Sequence, residues 1–146
     1  MQQLTILNED NVFFGMKQMT KEEAITFAGE HLVKQGYVKD AYIQGMLERE
    51  KITNTYIGNG IGIPHGTDNA KKEILQSGIV ILHFKDGINY GGETAHLVIG
   101  IAGKNNEHLE ILSKIAIALS DEDEVGKIIN SSTKEELYSY LDEINN

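Results

Sequence analysis

The chain of 146 residues contains no cysteine and only one proline. The lack of cysteine excludes a cysteine nucleophile, a thiolate metal site and a cysteine that carries a phosphoryl group, and it is compatible with a reducing compartment. No apolar run approaches the roughly 18 residues that span a bilayer, and the N-terminus lacks the pattern of a secretory signal. We therefore expect a soluble, cytoplasmic protein with no direct membrane insertion.

Positive charge is also scarce, because 13 lysines and arginines face 22 aspartates and glutamates, which leaves a net charge of −9. Nucleic-acid phosphates and anionic membrane surfaces attract clustered Lys and Arg, so this charge argues against both partners. A protein partner with a basic face would suit it, since complementary fields speed encounter. A role of the acidity in solubility alone stays open.

Local signals predict several helices along the chain. Thr20-Lys21-Glu22-Glu23 and Thr133-Lys134-Glu135-Glu136 are capping boxes that begin the first and the last helix. A further helix is predicted over residues 40–50, and a short one that begins with the acidic run 121–124.

A helix is also predicted to begin at Asn105 or Asn106, either of which can cap its first turn. Its apolar spacing predicts one buried face. The residues expected on that face are Leu109, Leu112, Ile115, Ala116 and Leu119.

Strands are predicted between the helices, over residues 79–84, over residues 96–102 and in a glycine-rich segment that ends near residue 63. Asp86-Gly87 is expected to be a turn. Strands mixed with helices along the whole chain predict an α/β fold, a single domain over residues 1–146 with a mixed sheet of about five strands flanked by helices on both faces.

The only proline directly precedes a histidine. Pro64 restricts its own φ and Gly66 permits close approach, so His65 is held between a stiff residue and a permissive one. The alternation before it predicts a strand over residues 57–63 with a bare glycine face and an apolar isoleucine face. A histidine at the end of a strand is a common place for chemistry, and a core strand that merely ends at a histidine is the alternative.

The other four histidines have different surroundings. His31 lies in a helix beside charged residues and is expected at the surface. His83 is expected to face outward or to be a core histidine with satisfied hydrogen bonds, and His96 to be structural or close to the site. His108 falls in the first turn of a helix, where the macrodipole disfavours the cationic ring and keeps the imidazole neutral. An exposed histidine is the alternative there.

Arg49 is notable because arginine is scarce in this chain. It lies at the end of a predicted helix, where a cation is favourable next to the macrodipole. A guanidinium can also bind a phosphoryl group through two N–H donors at once, so both interpretations stay open at this stage.

Four segments together resemble the enzyme IIA component, of the mannitol class, of the bacterial phosphoenolpyruvate-dependent sugar phosphotransferase system. They are Met46-Leu47-Glu48-Arg49-Glu50-Lys51, Gly60-Ile61-Gly62-Ile63-Pro64-His65-Gly66-Thr67, Leu97-Val98-Ile99-Gly100-Ile101-Ala102 and Asn105-Asn106-Glu107-His108-Leu109. The resemblance extends from Leu4 to Leu141. One departure is Asn59, where relatives often carry an acidic residue.

The resemblance implies the roles of three residues. His65 is implied to be the phosphoryl acceptor, as a tele-phosphohistidine. His108 is implied to be the second active-site histidine, and Arg49 the active-site arginine. In-line attack by the His65 imidazole would then be assisted by charge stabilisation from the other two side chains.

The resemblance also implies a phosphoryl carrier and its partners, and the lack of cysteine and of a membrane-spanning run predicts a free-standing A unit. HPr would donate the phosphoryl group, a cysteine of the IIB unit would accept it, and mannitol would finally receive it while crossing the membrane through IIC. No metal or cofactor is required, because the phosphohistidine donor is already activated. The alternatives are a fructose-class or nitrogen-regulatory IIA paralogue, phosphorylated at the same histidine.

A different class of function would use the histidines as ligands. His65, His96 and His108 could hold zinc for a hydrolase. The sequence lacks a His-x-x-x-His pair on a helix, which argues against this hypothesis.

Overall fold

Five strands form one mixed sheet in the computed structural model, which describes residues 6–105 and 107–145. The strands are β1 (Val12–Phe13), β2 (Tyr56–Gly58), β3 (Ile61–Gly62), β4 (Gly78–Tyr90) and β5 (Glu93–Ala102), in the order β1-β4-β5-β3-β2. The helices are α1 (Lys21–Lys34), α2 (Ala41–Ile52), α3 (Glu107–Ala118), α4 (Glu122–Ile129) and α5 (Lys134–Leu141). Short 3₁₀ helices span Glu9–Asn11, Asp68–Glu73 and Asp142–Asn145.

The sheet is covered by helices on both faces. β4 and β5 pair antiparallel, whereas β1 pairs parallel with β4 and β3 pairs parallel with β5. Alternate residues of β4 point to opposite faces, so Val80 and Leu82 pack with α1 and α2, while Ile79 and Ile81 pack with α3, α4 and α5. The predicted fold class is confirmed.

The predicted helix starts are present in the structure. Thr20 and Glu23 form a capping box, in which the Glu23 N–H donates to Thr20 Oγ1 at 3.1 Å and the Thr20 N–H donates to Glu23 Oε1 at 2.9 Å. At Thr133 only half of the predicted capping box is formed, because Thr133 Oγ1 accepts from the Glu136 N–H at 3.1 Å without the reciprocal bond to the Glu136 side chain. Asp121 caps α4 through the N–H groups of Asp123 and Glu124. Among the described residues, no helix is long and apolar enough to cross a membrane.

The glycine-rich segment is not the single strand predicted over residues 57–63. Gly58, Asn59 and Gly60 have φ values of 99°, 53° and 79°, so the chain reverses there and β3 pairs antiparallel with β2. Glycine and asparagine tolerate this left-handed conformation, which is typical of tight hairpins. The turn replaces the continuous bare face with a short hairpin that ends next to Pro64.

Asp86-Gly87 does not form the predicted turn. Both residues lie inside β4, where the pairing with β5 shifts between His83 and Ile88. Gly87 has a φ of 78°, so the left-handed residue produces a bulge rather than a reversal. The hairpin turn lies farther along, at Gly91 and Gly92.

The predicted buried face of α3 is partly wrong. Ile111, Ile115 and Leu119 are buried at a spacing of four residues, whereas Ala116 is exposed and Leu109 is 70% exposed. Leu109 is two positions before Ile111, about 200° around the helix, and therefore points away from the sheet. Of the two predicted cap residues, Asn105 has a φ of 58° and Asn106 lies outside the described residues.

Candidate active site

The backbone on both sides of His65 is tied to β5 and α2. The N–H of Ile101 donates to the Pro64 carbonyl at 3.0 Å, which extends the sheet past the end of β3. The Tyr42 hydroxyl donates to the Ile101 carbonyl at 2.7 Å and accepts from the Gly66 N–H at 2.9 Å. Burial raises the pKa of Tyr42 to about 12, so this hydroxyl stays protonated.

The imidazole of His65 has one nitrogen held and one available. Nδ1 lies 2.8 Å from the Ile63 carbonyl oxygen and donates its proton to it. In the neutral ring, Nε2 therefore carries the lone pair. Burial lowers the pKa of His65, and the positive charges of Arg49 and Lys71 lower it further, against the opposing effect of the Ile63 carbonyl. The ring is consequently a neutral nucleophile near pH 7.

A buried polar network supports the carbonyl that orients His65. The Ile63 N–H donates to the Thr55 carbonyl at 3.0 Å, and the N–H and hydroxyl of Thr55 both donate to the Glu50 carboxylate, at 3.1 and 2.5 Å. Glu50 forms an ion pair of 2.8 Å with Lys21, in which the side chains are only 7% and 14% exposed. The Thr55 hydroxyl also shares a hydrogen bond of 2.7 Å with Tyr90.

Small residues allow the Asp68–Glu73 3₁₀ helix to approach the site. A Cβ at Gly66 would lie 2.6 Å from the Tyr42 ring, and a Cβ at Gly45 would lie 2.4 Å from the Ala70 methyl group. Both distances are shorter than van der Waals contact, so only glycine fits at these two positions. These two close contacts let the residues that follow His65 pack against α2.

His108 lies beside His65, although the two residues are far apart in the sequence. Their ring centroids are 5.1 Å apart and the ring planes are inclined by 58°. Gly103 permits this approach, because a Cβ there would lie 2.4 Å from the His108 Cα. Burial lowers the pKa of His108, and His65 and Lys71 lower it further, so this ring is also neutral near pH 7.

Arg49, the only arginine in the sequence, occupies the last turn of α2. Its Nη1 donates to the Thr53 carbonyl at 3.1 Å, which uses one of the five N–H donors of the guanidinium. Arg49, His65 and His108 line one cleft of about 200 Å³. The complete lining is Arg49, Ile52, His65, Gly66, Thr67, Asp68, Lys71 and His108.

The structure therefore brings together the three site residues that the sequence predicted. It adds Lys71 and Asp68, which belong to no recognised motif and which sequence reasoning missed. Asn59 lies in the β2–β3 turn, where its side-chain amide is 3.5 Å from the Leu119 carbonyl, and it does not line the cleft.

The remaining histidines are outside the cleft. His96 donates from Nδ1 to the backbone carbonyls of Phe84 and Lys85, at 3.2 and 3.1 Å. It does not converge with His65 and His108, and residues 6–105 and 107–145 contain no group of three potential ligands for a metal ion. The three-histidine zinc hypothesis thus lacks its donor set.

His31 and His83 are both structural, but in different ways. His31 is not the plain surface residue predicted, because it is half-buried, hydrogen-bonded to Asn11 at 3.0 Å and packed edge-on against Phe13. His83 is fully buried with both ring nitrogens bonded, as expected for a satisfied core histidine.

Comparison with known proteins agrees with this geometry. The sequence model of the family described as "Phosphoenolpyruvate-dependent sugar phosphotransferase system, EIIA 2" matches residues 5–144. The chain belongs to this family. The predicted family resemblance is confirmed, since the match covers nearly the whole chain.

Three relatives of this family member are informative. It is 50% identical over 143 residues to the mannitol-specific phosphotransferase enzyme IIA component of Geobacillus stearothermophilus, covering 97% of this chain and 99% of that protein. It is 45% identical over 138 residues to the mannitol-specific EIICBA component of Klebsiella pneumoniae, covering 92% of this chain and 22% of that larger protein.

A solved complex gives the third comparison. The chain matches the structure of enzyme IIA-mannitol from Escherichia coli, determined in complex with phosphorylated enzyme IIB-mannitol, with a TM-score of 0.88 and 44% identity. The match covers 94% of this chain and 98% of that one. The fold predicted from the sequence is thus found in a protein of the same family.

Proposed function

We propose that this protein is a phosphoryl carrier of a mannitol phosphotransferase system, which receives a phosphoryl group from phospho-HPr on His65 and passes it to a IIB unit. The observation that carries this proposal is the hydrogen bond from His65 Nδ1 to the Ile63 carbonyl at 2.8 Å. It leaves Nε2 as the nucleophilic nitrogen in a cleft that also contains Arg49 and His108.

In the proposed transfer His65 neither gains nor loses a proton. The lone pair of Nε2 attacks phosphorus, and the Nε2–P bond forms while the N–P bond of the donor phosphohistidine breaks. The donor imidazole leaves with the electron pair of that bond, and the Nδ1 proton stays on His65, still donated to the Ile63 carbonyl. The product is a tele-phosphohistidine, and transfer onward to the IIB cysteine reverses the same bond changes at Nε2.

Arg49 and His108 are proposed to stabilise the charge on the transferring group. The equatorial oxygens carry most of the negative charge in the transition state, so positioned donors lower the barrier more than covalent assistance does. The guanidinium can contact two oxygens at once, and the neutral His108 ring can donate one N–H.

The partners follow from the relatives and from charge. The E. coli protein was solved with phosphorylated IIB-mannitol, and the K. pneumoniae protein combines IIC, IIB and IIA in one chain, which supports a IIB acceptor and a membrane IIC for this protein. The net charge of −9 favours a donor with a basic face. We propose the cytoplasm as the location of this chain.

A reconstituted transfer assay tests the proposal. The protein is incubated with phosphoenolpyruvate, enzyme I and HPr, and the phosphorylated residue is mapped. Label on His65 is expected, followed by transfer to a mannitol-class IIB. Efficient transfer to a fructose-class IIB instead, or no transfer to any IIB, would favour the fructose-class or nitrogen-regulatory alternative. Label at a residue other than His65 would overturn the site assignment.

A further inference from the structure

The cleft contains a charge pair that the family motifs do not include. Lys71 and Asp68 both belong to the 3₁₀ helix Asp68–Glu73 and both line the cleft with His65. The Lys71 Nζ lies 3.5 Å from Asp68 Oδ1. The side chain of the next residue, Lys72, is exposed and is absent from the cleft lining.

The pair between Lys71 and Asp68 is weak. The Asp68 side chain is 99% exposed and that of Lys71 is 49% exposed, so water competes with both charges. Exposed pairs of this kind contribute little to the stability of a fold. The stability of the fold therefore does not depend on the ion pair of Lys71 with Asp68. The flexible side chain of Lys71 allows its ammonium to bind another partner.

The charge of Lys71 already acts on both rings of the site. The pKa values of His65 and His108 are both lowered by it, in addition to the larger effect of burial. Asp68 acts on His108 in the opposite direction. The ammonium and the two imidazoles thus share one electrostatic environment.

A phosphorylated His65 would need more cationic charge than one guanidinium provides. The phosphoryl group is a dianion at neutral pH, it enters a protein with a net charge of −9, and Arg49 is the sole arginine, with one donor committed to Thr53. A dianion attracts an ammonium more strongly than the single charge of Asp68 does at equal distance.

We propose that Lys71 is a second phosphoryl-binding cation of this site. When His65 is phosphorylated, the Lys71 ammonium moves away from Asp68 and contacts the phosphoryl oxygens. In this step Lys71 changes only its partner. Asp68 holds the ammonium at the mouth of the cleft before transfer and competes for it afterwards. This inference rests on the proposed function of His65.

Three variants test the proposal. We expect Lys71→Gln to slow transfer from phospho-HPr by at least about tenfold, which is the effect of losing one charge-assisted contact of about 1.4 kcal/mol. Lys72→Gln is the matched control, because it removes the same charge from the same helix outside the cleft, and it should remain within about twofold of wild type. Asp68→Asn should accelerate transfer, since it removes the competitor.

Two further measurements separate a direct contact from a structural role. Lys71→Gln should raise the pKa values of His65 and His108 followed by NMR, whereas Asp68→Asn should lower that of His108 and Lys72→Gln should move neither. Lys71→Arg should restore transfer. Equal transfer rates for Lys71→Gln and Lys72→Gln, whether both are slow or both are fast, would overturn the proposal.

A chemical donor distinguishes failure of this inference from failure of the proposed function. Phosphoramidate can phosphorylate histidine without HPr, and ³¹P NMR then reports the ionisation of the phosphoryl group on His65. Lys71→Gln should raise that phosphoryl pKa by about half a unit relative to Lys72→Gln, because a nearby cation favours the dianion. If wild type accepts nothing from phospho-HPr but the two variants show this pKa difference, the proposed function is wrong and the Lys71 site stands. Equal phosphoryl pKa values in the two variants contradict the Lys71 site in either case.

Discussion

Two regions of the molecule place the same side chain in opposite settings. In the cleft, His65 follows β3 and uses one ring nitrogen, Nδ1, in a hydrogen bond to the Ile63 carbonyl. In the middle of β4, His83 accepts from the Gly15 N–H through Nδ1 at 3.1 Å and donates from Nε2 to the Ile129 carbonyl at 2.7 Å. Its ring also stacks on Phe14 at a centroid distance of 4.7 Å.

The difference shows what separates a reactive histidine from a structural one here. Burial lowers the pKa of both rings, so the direction of the pKa shift does not distinguish them. The number of committed ring nitrogens does, because a nitrogen whose lone pair or proton is already used cannot attack an electrophile. One free nitrogen in an open cleft allows chemistry, whereas two committed nitrogens in a core give a cross-link between three segments.

The largest expected effect comes from removing the free nitrogen. His65→Ala should abolish phosphoryl acceptance from phospho-HPr, because no other ring nitrogen occupies its position. The free energy of unfolding should change by less than about 1 kcal/mol, since the ring is half-buried and makes one bond to the backbone. Acid-labile phosphate that persists on the variant would show that the acceptor lies elsewhere.

His83→Phe should reverse this pattern. The substitution keeps a planar ring against Phe14 but leaves the Gly15 N–H and the Ile129 carbonyl without their partners, at a cost of about 3 kcal/mol in the free energy of unfolding. Urea unfolding measures this loss. The folded fraction should accept phosphate at the wild-type rate. A variant as stable as wild type would mean that the two hydrogen bonds make no net contribution to the free energy of unfolding.

Arg49→Gln tests whether the environment of the free nitrogen matters as much as the nitrogen itself. We expect transfer from phospho-HPr to slow about 100-fold, as when one preorganised donor to a transition-state charge is lost. Arg49→Lys should slow it about tenfold, because an ammonium is a point charge without the guanidinium fork. Equal rates for wild type and Arg49→Gln across a salt series would make Arg49 an ordinary helix-end residue.

His108→Ala should have a smaller effect than either change at the centre of the site. The variant should still accept phosphate on His65, but transfer in both directions should slow by at least about tenfold, or about 1.4 kcal/mol. His96→Ala is a suitable control, because His96 is also a half-buried histidine and lies outside the cleft. Identical kinetics for the two variants would remove His108 from the site.

The dependence of stability on pH is the smallest expected effect. The pKa values of His65 and His83 are lowered below the ordinary value of 6.5, so the unfolded chain binds protons more readily than the folded one. The stability contributed by each ring is therefore complete above pH 6.5 and is lost as the pH falls through the folded pKa. Urea unfolding between pH 8 and pH 5 should show this decline.

The two histidines can be distinguished within that decline. His83→Phe and His65→Ala should each flatten the loss of stability below pH 6.5, because each removes one titrating ring. Phosphoryl acceptance by wild type should be constant between pH 7 and pH 8, where His65 is already neutral. A stability that rises as the pH falls from 7 to 5 would contradict the direction of both shifts.

Several features of the fold could be predicted because their causes are local. The capping box at Thr20 depends on residues three positions apart, and the buried strand over residues 79–84 is apolar except for His83. The hairpin at Asn59 and the bulge at Gly87 were missed for a local reason as well. Glycine and asparagine permit a left-handed residue, but whether that residue reverses a strand or bends it depends on which partner the strand has.

The residues of the site that belong to motifs were predicted, and the others were not. His65, His108 and Arg49 belong to recognisable segments, and the cleft contains all three. Lys71 carries no such signal, because one lysine in an exposed helical turn resembles any other. Its place in the cleft depends on Gly45 and Gly66, which let the 3₁₀ helix pack against α2.

The sequence by itself determined most of the helices and strands, and three chemically capable side chains of the cleft, Arg49, His65 and His108. Only the tertiary structure decided that His65 keeps a free nitrogen in the cleft while both ring nitrogens of His83 are bonded. The partners of His83 are 68 and 46 positions away along the chain, and His108 meets His65 just beyond the C-terminal end of β5, where Ile101 pairs with His65. Hydrogen bonds are satisfied by proximity in space, so the reactivity of an imidazole is a property of the packed molecule and not of the segment that carries it.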